Sequence, residues 1–255
     1  MTMTDILLLI GRSLRNSLRT PAAIIPNIAI SVFFLFVFNA GLSSVANLPG
    51  FKGSYLGFII PVSIVSASVG GAGAAGQSLI RDIESGYFTK LLLTPTSRLA
   101  LVWGPMVGGA VLLVAQVVLV LALGLALGLK TAAGPAGLIL VLFFAFLWGM
   151  AFAGYAVFIA LKTRNGAAAQ AATFAFFPLI FLSSTFVPKE YITATWLRWA
   201  ATVNPTTYIY DAMRSLLLDG WKARPLLIGL GVMVAFATFT GVLAVRQARR
   251  ATQLG

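Results

Sequence analysis

The sequence predicts an all-α integral membrane protein with six transmembrane helices, an N-terminal amphipathic interfacial helix and two short re-entrant helices before the last span. Three observations predict it. Of 255 residues, 59% are hydrophobic and 9% charged, with a mean hydropathy of +0.96. Soluble domains carry roughly 25% charged residues, so this chain cannot cover a water-facing surface. Six apolar stretches reach the roughly 20 residues that a helical span needs. The Lys and Arg residues lie between those stretches rather than within them. The bilayer therefore sets the organisation, and 1–255 reads as one transmembrane domain.

Residues 1–21 hold the first element. Leu7, Ile10, Leu14 and Leu18 share a face at about 100° per residue, with Arg12, Arg15 and Arg19 turned away from it. Such a helix suits the cytoplasmic interface, and Thr20-Pro21 ends it. No cleavable signal peptide precedes the first long apolar run, which reads as a retained span. The spans follow at 22–42, 54–80, 99–128, 136–161, 168–187 and 225–245.

Segment 188–222 is too long for a turn and too apolar for a free loop. Tyr191, Trp196, Leu197, Trp199 and Val203 mark one short helical half, suited to the membrane–water boundary. Asn204 stands at a favoured cap position and Pro205 at a favoured first helical position. Ile209, Met213, Leu216 and Leu217 mark the second half. Neither half is long enough to span, so both are expected to dip into the outer leaflet. Asp211 and Arg214, three apart, are expected to pair on one helix face.

The net charge of +12 is read as topology. With the N-terminus inside, eleven basic residues face inward: Arg12, Arg15, Arg19, Arg81, Lys90, Arg98, Lys162, Arg164, Arg246, Arg249 and Arg250. The short outer loops hold only Lys52 and Lys130. Both termini are therefore expected in the cytoplasm, the chain sitting in an inner or plasma membrane as a multi-pass protein. Lipid, not nucleic acid, accounts for the basic balance.

Several chemistries are excluded. The chain has no Cys and no His, which removes disulfides, Cys/His metal sites and histidine acid–base catalysis. The spans hold no clear Asp, Glu, Lys or Arg of the kind ion-coupled carriers use. No phosphate loop G-x-x-x-x-G-K-[ST] occurs. Gly71-Ala-Gly73-Ala-Ala-Gly76 matches G-x-G-x-x-G, but without a strand–turn–helix context it reads as close helix packing. The chain is not expected to be an enzyme, and its driving chemistry must come from another subunit.

In-span polar residues bond between helices in the bland reading. In the functional reading they line a substrate path, for which Asn39, Ser63, Ser66, Gln116 and Ser184, with Phe181, are the candidates. Segment 81–98 holds Arg81, Asp82, Glu84, Lys90 and Arg98. Spacing alone leaves it either a solvated loop or a docking element for a cytoplasmic partner.

The run Glu84-Ser-Gly86, then Leu92-Leu-Thr94-Pro95-Thr-Ser97-Arg98, resembles the inner-loop motif of type-2 ABC exporter permeases. The second half agrees in Phe181-Leu-Ser183-Ser184-Thr185-Phe186-Val187-Pro188, Trp196-Leu197, Asn204-Pro205-Thr-Thr-Tyr208 and Asp211-Ala-Met-Arg214. That order is similar to the daunorubicin-resistance permease branch. The resemblance implies two permease copies, identical or related, each docked on an ABC ATPase subunit that carries ATP and Mg. It implies no cofactor in this chain. Arg81, Asp82, Glu84, Gly86, Lys90, Thr94, Pro95 and Arg98 would couple to the ATPase. Pro188, Asn204, Pro205, Tyr208, Asp211 and Arg214 would form an outer gate. Spans one, two and five are expected to share the surface between copies. The expected cargo is an amphiphilic drug, natural product or lipid-like molecule. A polysaccharide or glycolipid exporter is the alternative within the family, and a channel or scaffold without ATP coupling the alternative outside it.

Overall fold

The computed structural model describes residues 11–12, 15, 21–47, 51, 53–87, 90 and 98–251, with side chains at all of these except 21–24, 70–73, 98–101 and 251. Helices account for the described elements. Of the N-terminal interfacial helix, only Gly11, Arg12 and Arg15 are described, and they are helical. Thr94 and Pro95 lie outside the described residues.

Helix α1 runs Pro21–Phe33 and continues through a π turn at Phe34–Phe38, a short α segment and a 3-10 turn to Asn47. Helix α2 is Tyr55–Glu84, α3 Arg98–Ala126 and α4 Gly134–Thr163. Short helices α5, Gly166–Phe174, and α6, Phe177–Phe181, follow. After a 3-10 turn at Lys189–Tyr191 come α7, Thr195–Val203, and α8, Pro205–Arg214. A π turn, Ser215–Asp219, leads to the last helix, α9, Ala223–Ala251.

Five of these elements are long and apolar enough to cross a membrane: Ile25–Asn47, Tyr55–Glu84, Val102–Ala126, Gly134–Thr163 and Ala223–Arg250. The expected fifth span at 168–187 is not one continuous helix. Asn165 opens α5 by accepting from Ala167 N (2.9 Å) and Ala168 N (3.1 Å). Pro178 then supplies no N–H to the turn before it, and the chain re-forms as the one-turn α6. Beyond Phe181 the backbone is irregular as far as Pro188.

Helix α2 occupies the centre. Over its most apolar stretch 93% of residues are buried, against 17% for α1 and 22% for α9. It packs on α1, α3, α4 and α5. Over this stretch its own chain encloses span two, which with its Gly-rich end is expected at the surface between copies. In lipid, apolar burial gains little, so close approach and interhelical hydrogen bonds must hold such a bundle. Gly76, the last glycine of the G-x-G-x-x-G run, shows this. A Cβ there would lie 2.9 Å from the Ala156 carbonyl oxygen on α4. An aromatic layer of Trp148, Phe152, Phe176 and Phe236 ties α4 to the α5–α6 bend and α9, with ring centroids 4.8–6.3 Å apart.

The start of α2, the α3–α4 loop and residues 182–220 meet at one end of the bundle, as bonds of Ala132 and Ala133 to Leu217 and Leu216, and of Arg214 to Phe58, require. The C-terminal end of α2 lies at the other.

Candidate functional site

The site is built on an elbow at Asn204. Its Oδ1 accepts from Thr206 N (3.0 Å) and Thr206 Oγ1 (2.7 Å), capping α8. Its Nδ2 donates to Leu179 O (2.6 Å) and Leu182 O (3.0 Å), carbonyls left open where α6 stops. One amide thus closes the N-terminus of one helix and the C-terminus of another. Pro205 follows at the first helical position. Tyr208 Oη donates back to Thr202 O (2.6 Å), bracing α7 against α8.

Helix α8 carries Arg214 into the interior, where it is 7% exposed. Nε donates to Phe58 O (3.0 Å), one terminal nitrogen to Ser184 Oγ (3.1 Å) and the other to Thr185 O (3.2 Å). The guanidinium stacks 3.4 Å above the Phe58 ring centre and lies 5.2 Å from that of Tyr210. Guanidinium suits this role because it is planar, weakly hydrated and carries its donors in a fixed fork. Ser183 and Thr185 both donate to Ile180 O, and Tyr55 Oη donates to Phe186 O (3.3 Å). Arg214 therefore joins three elements: the first turn of α2, the irregular segment after α6, and α8.

The expected Asp211–Arg214 pair does not form. Asp211 meets Lys189 instead (3.6 Å), and Lys189 Nζ lies 5.4 Å over the Tyr208 ring. Helical spacing permits the pair, but Arg214 points into the bundle while Asp211 stays half-buried at its edge. The wide turn Ser215–Asp219 releases the carbonyls of Leu216 and Leu217 from helical bonding. They accept from Ala133 N (2.9 Å) and Ala132 N (3.1 Å) in the α3–α4 loop. Helix α9 closes on α8 at Gly229, where a Cβ would lie 2.5 Å from Ala212 Cβ and 2.9 Å from Tyr208 O. Of the six expected gate residues, Pro188, Asp211 and Arg214 line one cavity, Tyr208 lies beside it through Lys189, and Asn204 and Pro205 form the elbow behind.

At the opposite end, α2 terminates at Glu84, and Gly86 takes a φ of 68°. Arg81, Glu84 and Lys90 are exposed. Asp82 is held in a bidentate pair by Arg12, at 2.7 and 2.9 Å, and the same guanidinium lies 3.6 Å over the Tyr87 ring. This contact joins residues 70 apart, and no local pattern signals it. Arg98 opens α3.

The expected path residues do not converge. Ser63, Ser66 and Gln116 are buried within the bundle, each with an oxygen lacking a partner among the described residues. Ser184 is taken up by Arg214. Phe181 joins an aromatic surface with Phe34, Phe177 and Phe186, and Asn39 is half-buried on α1.

Residues 4–218 match the family described as ABC-2 type transporter. A Cyanophora paradoxa protein named as transport permease ycf38 is 26% identical over 215 residues, covering 83% of this chain and 73% of its own. The daunorubicin resistance ABC transporter permease protein DrrB1 of Streptomyces coeruleorubidus is 26% identical over 194 residues, covering 73% of this chain and 67% of its own.

Proposed function

The chain belongs to the ABC-2 type transporter family, and from that premise we propose that it is the membrane subunit of an ATP-driven exporter. ATP is hydrolysed on a separate ABC ATPase, two copies of which serve two permease copies. The cargo is an amphiphilic drug, natural product or lipid-like molecule. Similarity to a daunorubicin resistance permease supports efflux of such a cargo. The observation that carries the reading is the contrast between the two ends of a bundle whose span interiors are free of charge. One end presents Arg81, Glu84 and Lys90 to solvent beside the Arg12–Asp82 pair. The other is closed by a short helical hairpin hung on Arg214.

On this reading the charged end is cytoplasmic and receives the ATPase, and both termini lie there, as the Lys and Arg distribution favours. The hairpin dips into the outer leaflet, with Trp196, Trp199 and Val203 at the interface, and gates the exit. The second copy packs on α1 and the α5–α6 segment, where Phe33, Phe36, Val37 and Phe181 are exposed. Glu84→Lys should reduce stimulation of the partner ATPase while leaving membrane insertion intact. Unchanged stimulation and unchanged assembly with the ATPase would remove this end from coupling.

A further inference from the structure

The hairpin end holds a cavity of about 480 Å³, lined in part by the expected gate residues Pro188, Asp211 and Arg214. This is within the roughly 300–1,000 Å³ of small-molecule sites. Its walls grade from buried to exposed. Deep in it lie Phe58, Arg214 and Ser215, all buried, and at the rim Glu190, Asp219 and Lys222, all exposed.

The deep part is short of acceptors. Among the described residues Arg214 spends three of its five N–H groups on Phe58, Ser184 and Thr185, and it meets no carboxylate within salt-bridge distance. Ser215, 2% exposed, has a hydroxyl with no partner there. Both residues line the cavity, and a buried cation with spare donors and an unused hydroxyl in one wall suit an anion.

The rim disfavours a ligand that is only an anion. Asp219 pairs with Lys222 (3.0 Å), and Asp211 pairs with Lys189 (3.6 Å) while also lying in the field of Arg214. Glu190 enters no ion pair among the described residues, and Tyr191 lines the wall beside it. A carboxylate next to an aromatic ring suits an ammonium. Phosphate at the floor and amine at the rim describe one chemistry.

We propose that this cavity binds a zwitterionic phosphoethanolamine group, its phosphate against Arg214 and Ser215 and its ammonium against Glu190. The group could arrive as a phospholipid headgroup or as the free compound. The inference rests on the proposed outward placement of this end only for its biological source, because binding to the isolated chain reads the cavity whichever side it faces.

The test is equilibrium binding to the full-length chain in detergent, with three probes: dihexanoyl phosphatidylethanolamine, dihexanoyl phosphatidylglycerol and free phosphoethanolamine. The ethanolamine lipid should bind at least about fivefold tighter than the glycerol lipid, a difference of roughly 1 kcal/mol. Ser215→Ala should weaken it about fivefold, the worth of one hydrogen bond. Glu190→Gln, an exposed and structurally mild change, should weaken it about fivefold and so abolish the preference over the glycerol lipid. If free phosphoethanolamine competes with an affinity equal to the lipid's, the cavity reads the headgroup alone; if only the lipid binds, the acyl chains contribute. Either result supports the site. Equal binding of the two lipids, or affinities unchanged in both variants, would overturn it. Arg214 is left intact, and unchanged unfolding midpoints of the two variants separate a lost contact from a folding defect.

Discussion

Asn204 is the smallest change with the largest consequence that the structure predicts. Asn204→Ala removes two functions at once. Losing the cap of α8 costs about 1 kcal/mol. Losing the Nδ2 donor strands the carbonyls of Leu179 and Leu182 in a site where Asn204 is 5% exposed, at about 1–3 kcal/mol for groups left unpaired. The sum is roughly 2–4 kcal/mol, which at about 2–4 °C per kcal/mol lowers the unfolding midpoint by roughly 5–15 °C. Asn204→Ser separates the two parts. Its hydroxyl can still cap Thr206 N but is too short to reach both carbonyls, so it should recover about 1 kcal/mol of the loss. The assay is thermal unfolding of the purified chain in detergent, followed by tryptophan fluorescence, with all three proteins in the same detergent. A midpoint for Asn204→Ala indistinguishable from the parent would refute the double-cap reasoning. A serine variant no better than alanine would refute the division between cap and donor.

At the charged end, Arg12 and Asp82 should show a coupling of about 1 kcal/mol in a double-mutant cycle of Arg12→Ala and Asp82→Asn, read from unfolding midpoints; strict additivity would mean the pair contributes nothing. In membranes, cysteines at Ile209 and Met213, both buried, should resist membrane-impermeant thiol reagents while one at Lys189 reacts from outside. Fast labelling at all three would mean a solvated loop. Gly229→Ala forces a Cβ to within 2.5 Å of Ala212 and should destabilise by about 1–3 kcal/mol, whereas Gly231→Ala, with open space around it, should be silent by the same midpoint measurement.

Much of this architecture is legible in the sequence because lipid imposes a simple rule. Runs such as Val102–Ala126 and Gly134–Thr163 are long and apolar enough to cross a membrane, and the sequence shows this directly. The cap at Asn204-Pro205 is equally local and is found where the residue types place it. The broken fifth span is harder. Pro178 sits in an unbroken apolar run, so hydropathy reads through it, and since Pro26, Pro61 and Pro105 stand inside continuous helices a proline alone does not announce the break. Arg214 shows the limit more sharply. Spacing suggests Asp211 as its partner. Its bonds instead run to Phe58, Ser184 and Thr185, the first of them 156 residues away, and only the packing of α8 on α2 brings these groups together. The Arg12–Asp82 pair fails to announce itself for the same reason. The π turn at Ser215–Asp219 is likewise set by tertiary partners, since its freed carbonyls are satisfied by a loop more than 80 residues earlier.

The central proposal is ATP-coupled outward movement through this subunit. The most direct measurement is efflux of a panel of labelled amphiphiles from cells making the chain alone, the chain with its ATPase, and the chain with an ATPase whose phosphate-loop lysine is replaced. At least one compound should be expelled only when the chain and the active ATPase are present together. Efflux that is equal in all three cells would contradict it and mark the chain as an uncoupled channel.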